Sequence, residues 1–169
     1  MQVALIYYKT ETEKEGWINR LLYRADQKLL GVVTGNLPIL GNLTVFENIM
    51  LPASYHYGLN QKEGRKMVLS DLEKYGLEKF IDSRPDKLDD FQKFLVKYLQ
   101  AVYLQSKWIV IISPRKMYAA EYDGAFKEFF SYEIRDNSVI IDHINNKNFF
   151  QDFQNYTELD FESWLETNF

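Results

Sequence analysis

Lys14 has the most chemical promise in this chain. It stands in the polar stretch YKTETEKEG, between an apolar segment and a helical one, where an ammonium could hold a phosphate. Its neighbours oppose that use. Glu11, Glu13 and Glu15 put three carboxylates where a polyphosphate would sit, and each repels a phosphate charge about 5 Å away by roughly 1 kcal/mol in water, several times more in a partly buried cleft. Lys9 and Lys14 do not offset this. Ser113 ends an apolar run, but the sequence places no His or Asp beside it, so a serine nucleophile would lack its base. The only histidines are His56 and His143, which rules out a histidine-rich metal site; with no cysteine there is no disulfide and no thiolate ligand, a composition that suits the cytosol. The net charge of -4, without a basic stripe, argues against nucleic acid. The residues therefore point to no catalytic group, no metal and no cofactor.

The elements that must position these groups follow from hydrophobic period. Gln2 to Tyr8 is rich in strand formers, and Trp17, Ile18, Leu21 and Leu22 fall at helical spacing. Strand, polar loop and helix in that order could carry a P-loop, G-x-x-x-x-G-K-[ST], whose glycines let backbone N–H groups wrap phosphates. With Lys14 at the lysine, Tyr8 and Glu13 take the glycine positions and Glu15 the hydroxyl position, so only the lysine survives. The plainer reading is a charged turn capping a helix; the other is a rearranged loop with a different ligand. Leu29 to Val33 reads as a strand and TGNLPILGN as a loop. Thr44 followed by Glu47 is a capping box, Asn60 with Glu63 starts another helix lined by Met67, Leu69, Leu72 and Tyr75, and Gly76 stops it. Phe91, Leu95, Tyr98, Leu99 and Val102 form a helical stripe that feeds the unbroken apolar run Trp108 to Ile112. Strands buried on both faces belong to parallel sheets covered by helices, and ligands collect at their carboxyl ends, here Ser113 and Pro114. Ala120 to Phe130 reads as a helix, Ser138 to Ile141 as a strand, and residues 148–169 as an acidic, aromatic tail in which Phe161, Trp164, Leu165 and Phe169 form an amphipathic stripe after Asp160. The beginning, MQVALIYYK, is too short an apolar run for a signal peptide and no run approaches 18 apolar residues, so neither export by that route nor a membrane span is expected.

The helix-then-strand stretch Leu88 to Pro114 resembles the signature helix and Walker B strand of ABC-transporter ATPase domains, whose pattern is Leu-Ser-Gly-Gly-Gln, helix, apolar strand, Asp-Glu-Pro. Leu88, Gln92 and Pro114 match. Asp89, Asp90 and Phe91 stand at the Ser-Gly-Gly, Ile112 at the magnesium-holding Asp and Ser113 at the catalytic Glu. LTVFENIMLP, residues 43–52, strongly resembles the segment that follows the Q-loop of transporter ATPases, and LEKYGLEKFIDSRPDKL the approach to their signature. The Q-loop glutamine is replaced by Gly35. A gapless alignment puts Ile144 at the switch histidine, with His143 one position early, and Asp123 near the D-loop. The resemblance covers roughly residues 3–144.

What it implies is an α/β fold, P-loop NTPase-like: a mostly parallel sheet flanked by helices, with a helical subdomain over about residues 43–100. The antiparallel β subdomain is reduced or missing, since only Arg24 to Lys28 links the first helix to the next strand. Residues 1–169 form a single degenerate ABC ATPase-like domain. The implied function is that of a non-catalytic pseudo-ATPase subunit with a structural or regulatory role in an ABC transport complex at the cytoplasmic face of a membrane. Its partners would be a permease, met by Leu43, Thr44, Val45, Phe46, Ile49 and Met50, and an active ATPase subunit. The alternative is a soluble adaptor or sensor that binds a protein or small molecule without ATP hydrolysis.

Overall fold

The structure, a computed structural model, describes residues 3–24, 30–58 and 60–169. Gln2, Leu29 and the link residues 25–28 lie outside them, as does Leu59. Five parallel strands form one sheet: β1 (Val3–Tyr8), β2 (Leu30–Thr34), β3 (Trp108–Ile112), β4 (Ser138–His143) and β5 (Tyr156–Glu158), in the order β2-β3-β4-β1-β5. β1 pairs β4 with Ile6 opposite Ile141 and Tyr8 opposite His143, and β3 pairs β2 with Ile112 opposite Thr34. Every described strand pair is parallel, so all carboxyl ends lie along one rim.

Helices cover both faces, which is why the strands read as continuous apolar runs. On one face α2 (Val45–Tyr57), α4 (Asp90–Tyr103) and α5 (Asp123–Glu128) meet Leu5, Val33, Ile109, Ile111 and Ile140. On the other, α1 (Glu11–Arg24) and α7 (Phe161–Asn168) bury Leu21, Phe161, Trp164 and Leu165 against Ile6, Tyr8, Val110, Ile112 and Ile141. α3 (Gln61–Lys74) packs on α2 to complete the helical subdomain.

The capping arguments hold locally. Thr44 accepts the Glu47 N–H while Glu47 accepts that of Thr44, Asp89 and Gln92 do the same for α4, and Asp160 accepts the N–H groups of Glu162 and Ser163. Gly76 ends the α3 region at φ 64, a conformation that costs any other residue a Cβ clash. Asn60 accepts the Lys62 N–H.

Other expectations need correction. α1 begins at Glu11, so the charged stretch is mostly helix rather than turn, leaving only Lys9 and Thr10 outside regular structure. In α3 Leu72 is buried, and Leu69 and the C-cap Tyr75 pack against the core as read from spacing, but Met67 is 56% exposed, and Gly64 and Val68 are buried instead. α2 runs through Pro52 to Tyr57. The helix expected over Ala120 to Phe130 is broken into a 3-10 turn at Ala120–Tyr122, α5, and a π-helical turn at Phe129–Glu133. The segment 148–169 is no appendage. It contributes α6 (Lys147–Phe150) in part, strand β5 and α7, and Phe161, Trp164 and Leu165 are 0–3% exposed, so the stripe packs on its own domain.

Candidate functional site

The carboxyl rim of the sheet brings together the end of β1 (Tyr8, Lys9), the start of α1, the end of β2 (Thr34, Gly35), the end of β3 (Ile112, Ser113) and the end of β4 (Asp142, His143). The chain reverses direction across the sheet here, with β1 flanked by β4 and β5, the kind of crevice in which open α/β sheets hold ligands. In this protein the crevice is filled by its own side chains.

Tyr8 is fully buried, and its hydroxyl shares a 2.9 Å hydrogen bond with Ser113 Oγ. Ser113 lies in the left-handed region, φ 50, a conformation costing a non-glycine residue about 1–2 kcal/mol. It is held there by its N–H on the Ile141 carbonyl, 2.8 Å, and by Tyr8. At the head of α1, Thr10 Oγ1 accepts the Glu13 N–H (3.1 Å), and Glu13 Oε2 accepts the Lys9 N–H (2.6 Å). The helix terminus that attracts anions is thus served by the chain's own carboxylate. Glu11 is bridged by Lys14 and by Lys116 (2.6 Å); the hydrogen bond from Lys116, then that from Lys14, holds the Glu11 carboxyl down at about 2. Lys14 also lies over the Tyr8 ring, 5.4 Å from its centroid. The free space among Lys14, Thr34, Gly35, Ile112, Ser113 and Lys116 is about 100 Å³, against roughly 300–1,000 Å³ for small-molecule sites.

His143 sits at the same corner. Its ring meets Tyr8 edge-on at 5.2 Å, its Nε2 donates to the Lys9 carbonyl (3.2 Å) and its Nδ1 accepts the Asn145 N–H (3.1 Å). Both nitrogens are engaged with backbone, and Ser113 Oγ is hydrogen-bonded to Tyr8, so among the described residues Ser113 is not paired with a base. β4 runs on to His143, in register with Tyr8.

The signature-like residues are spent on local structure. Asp89 caps α4, Asp90 opens it, Gln92 closes the capping box, and Phe91 stacks edge-on against Phe126 at 5.0 Å. Gly35 is exposed, with its carbonyl accepting from Lys97 (3.3 Å), and Asp123 pairs with Arg115 rather than reaching the rim. Two residues that motif spacing did not single out matter here. Asn48, completely buried in α2, accepts the Leu40 N–H and donates to the carbonyls of Leu40, Leu43 and Thr44, fastening the β2–α2 loop to the helical subdomain. An asparagine in the first turn of a helix, with Phe46, Ile49 and Met50 close by in sequence, was the available signal. Asp142 is also 0% exposed; its Oδ1 accepts from the His143 N–H and Asn146, its Oδ2 has no hydrogen-bond partner among the described residues, and burial pushes its pKa up.

The expected partner-binding residues divide. Val45 and Ile49 are 0–1% exposed and belong to the core, so they present nothing to a partner; Thr44 is the helix cap. Leu43, Phe46 and Met50 line a recess of about 180 Å³ with Glu47, Leu51, Ser54 and Gln61, but Phe46 and Met50 are themselves largely buried. The outward apolar residues on α2 are Leu51 (45%), Tyr55 (85%) and Tyr57 (41%), the first two one turn apart.

No protein-family model matches the chain. Over 112 residues it is 29% identical to the uncharacterized ABC transporter ATP-binding protein YvrO of Bacillus subtilis, covering 66% of this chain and 48% of that protein. The chain therefore spans about half the length of the curated relative it matches. Among solved structures it is similar to cbiO1 of Clostridium perfringens, part of the ABC transporter complex cbiONQ (TM-score 0.68, 14% identity, 84% of this chain and 67% of that one). It is also similar to the ATP-binding cassette MJ0796 in a dimeric post-hydrolysis state bound to ADP and Pi (TM-score 0.65, 17% identity, 95% and 82%). The fold is the α/β fold of ABC ATPase cassettes, a parallel sheet flanked by helices, and the resemblance to ABC-transporter ATP-binding proteins read from segment order is borne out. No helix among the described residues is long and apolar enough to cross a membrane.

Proposed function

We propose that this chain is a non-catalytic, cassette-like subunit of a membrane ABC transport complex, held at the cytoplasmic face by a permease and working beside an active ATPase. The observation that carries the reading is the self-occupied crevice: Glu13 takes the Lys9 N–H, Glu11 bridges Lys14 and Lys116, and Tyr8 closes the crevice on Ser113. What remains well made is the segment around α2, with its double cap and its Asn48 clasp. Active sites of such ATPases are composite, each drawing on two subunits. Paired with an intact ATPase, this chain would damage one site with its loop and the other with its Asp89-Asp90-Phe91 signature, so its role is structural or regulatory, or the active ATPases form their own dimer.

Docking is assigned to the outer side of α2 rather than to the buried residues of 43–50. The test is affinity purification of the tagged chain from detergent-solubilised membranes of its native host, with co-purifying permease and ATPase subunits identified by mass spectrometry. Recovery of both, and their loss with Leu51→Asp/Tyr55→Asp at unchanged Tm, supports the reading. A chain that behaves as a free monomer or homodimer with no membrane partner favours the adaptor reading instead.

A further inference from the structure

A second cavity, about 540 Å³, opens between the carboxyl end of β2 and the amino half of α4, beside the closed crevice. It falls in the size range of small-molecule sites. Pro38, Ile39, Phe94 and Met117 give it apolar walls, while Lys93 and Lys97 face it from successive turns of one helix. Two ammoniums at i and i+4 repel each other. Lys97 Nζ donates to the carbonyls of Thr34 (2.9 Å) and Gly35 (3.3 Å), neutral groups that use two of its three N–H donors. Among the described residues neither Lys93 nor Lys97 has a carboxylate in an ion pair, whereas Lys116 on the same wall is tied to Glu11. Burial, then the charge of Lys93, holds the Lys97 ammonium below its ordinary pKa, as an uncompensated pair should. Asp86 and Asp90 complete the lining and set an upper limit on the charge the site accepts, because they repel a polyanion.

We propose that this cavity binds a small amphipathic monoanion, a carboxylate or sulfonate on an aromatic or branched apolar body, with the acid group between Lys93 and Lys97. The body lies against Pro38, Ile39, Phe94 and Met117. The site would join the β2–α2 loop to the helical subdomain, and it does not rest on permease docking. The probe is 8-anilinonaphthalene-1-sulfonate, titrated calorimetrically into the folded chain. The expected result is one saturable site per chain, weakened tenfold or more by Lys93→Glu and by Met117→Trp, which fills the cavity, and at least tenfold weaker binding of the uncharged N-phenyl-1-naphthylamine. Lys93 is half-buried without a side-chain bond among the described residues, so its variant should keep the wild-type circular dichroism; if it does not, Lys93→Gln and Met117→Trp carry the comparison. Unsaturable or multi-site uptake, equal affinity in the variants, equal binding of the uncharged analogue, or no heat at millimolar probe each overturns the proposal.

Discussion

Adding Mg-ATP should leave this protein thermally unmoved. To bring a phosphate oxygen to the Lys9 N–H, the ligand must displace Glu13, whose Oε2 is 2.6 Å from that nitrogen. A carboxylate left about 4 Å from a phosphate charge costs about 4 kcal/mol at an effective dielectric of about 20. That is a factor of roughly 10³ in affinity, enough to carry a micromolar site to millimolar. The lysines that could compensate, Lys14 and Lys116, are already bridged by Glu11, and the remaining space is about 100 Å³. A cassette with a Kd of about 1 µM would gain about 4.1 kcal/mol at 1 mM nucleotide. For a chain of 169 residues that corresponds to a Tm rise of roughly 8–16 °C. The expectation here is a shift below about 1 °C in differential scanning fluorimetry and no heat in calorimetric titration. A rise of several degrees with micromolar affinity would refute the reasoning, since it requires the head of α1 to open around Lys14.

Three further outcomes follow from the geometry. Asn48→Ala removes the clasp between the β2–α2 loop and α2 and should cost about 2–3 kcal/mol, read as a Tm lowered by roughly 4–12 °C; an unchanged Tm means that the loop is held otherwise. Gly31→Ala places a Cβ 2.8 Å from Ala101 Cβ and 3.1 Å from its Cα, so about 1–3 kcal/mol should be lost in a urea titration, with the m-value retained. Asp142 has a folded pKa raised by burial, so its neutral form favours folding below the usual carboxylate range and its charge opposes folding above it. Asp142→Asn keeps an oxygen for the His143 N–H and should therefore raise Tm at pH 7 by a few degrees, the difference closing as pH falls below about 4; a lower Tm at pH 7 would show that the charge is needed.

How much of this was legible depends on the length scale of the forces involved. The cap at Thr44 and the helix start at Asn60 are decided within four residues, and both were read correctly. The run Trp108 to Ile112 and the stretch Ser138 to Ile141 announce strands buried on both faces by their composition alone. Within the α3 stripe Met67 was misjudged because Met67 and Val68 are adjacent and comparably apolar, and only packing on α2 decides which turns inward. β5 escaped notice because Tyr156–Glu158 is three residues long and mostly polar; it is a strand because β1 needs a partner on that side. Motif positions carry no information on how the side chains at the carboxyl rim are tied together. The Tyr8–Ser113 bond joins residues 105 positions apart, and the Lys116–Glu11 bridge likewise spans 105 positions, so neither is visible to any local pattern. The same holds for His143, whose place at the corner depends on how far β4 extends.

The position of β1 between β4 and β5 has a consequence for the order in which the protein can be assembled. β1 is synthesised early, yet both of its neighbours, Ser138–His143 and Tyr156–Glu158, come from the far end of the sequence. At about 5–20 residues per second, translation takes roughly 7 to 27 s to run from the one to the other. During that interval VALIYY, the apolar run that becomes β1, has neither of its sheet neighbours to pair with. The hairpin of α2 and α3 and the pair β2–β3 have nearer partners and can settle first. The sheet then grows from its β2 edge across to β1 and β5 only when β4 arrives, which makes this a slow-folding topology whose vulnerable species on the ribosome is a chain with a finished helical half and an unpaired β1 segment.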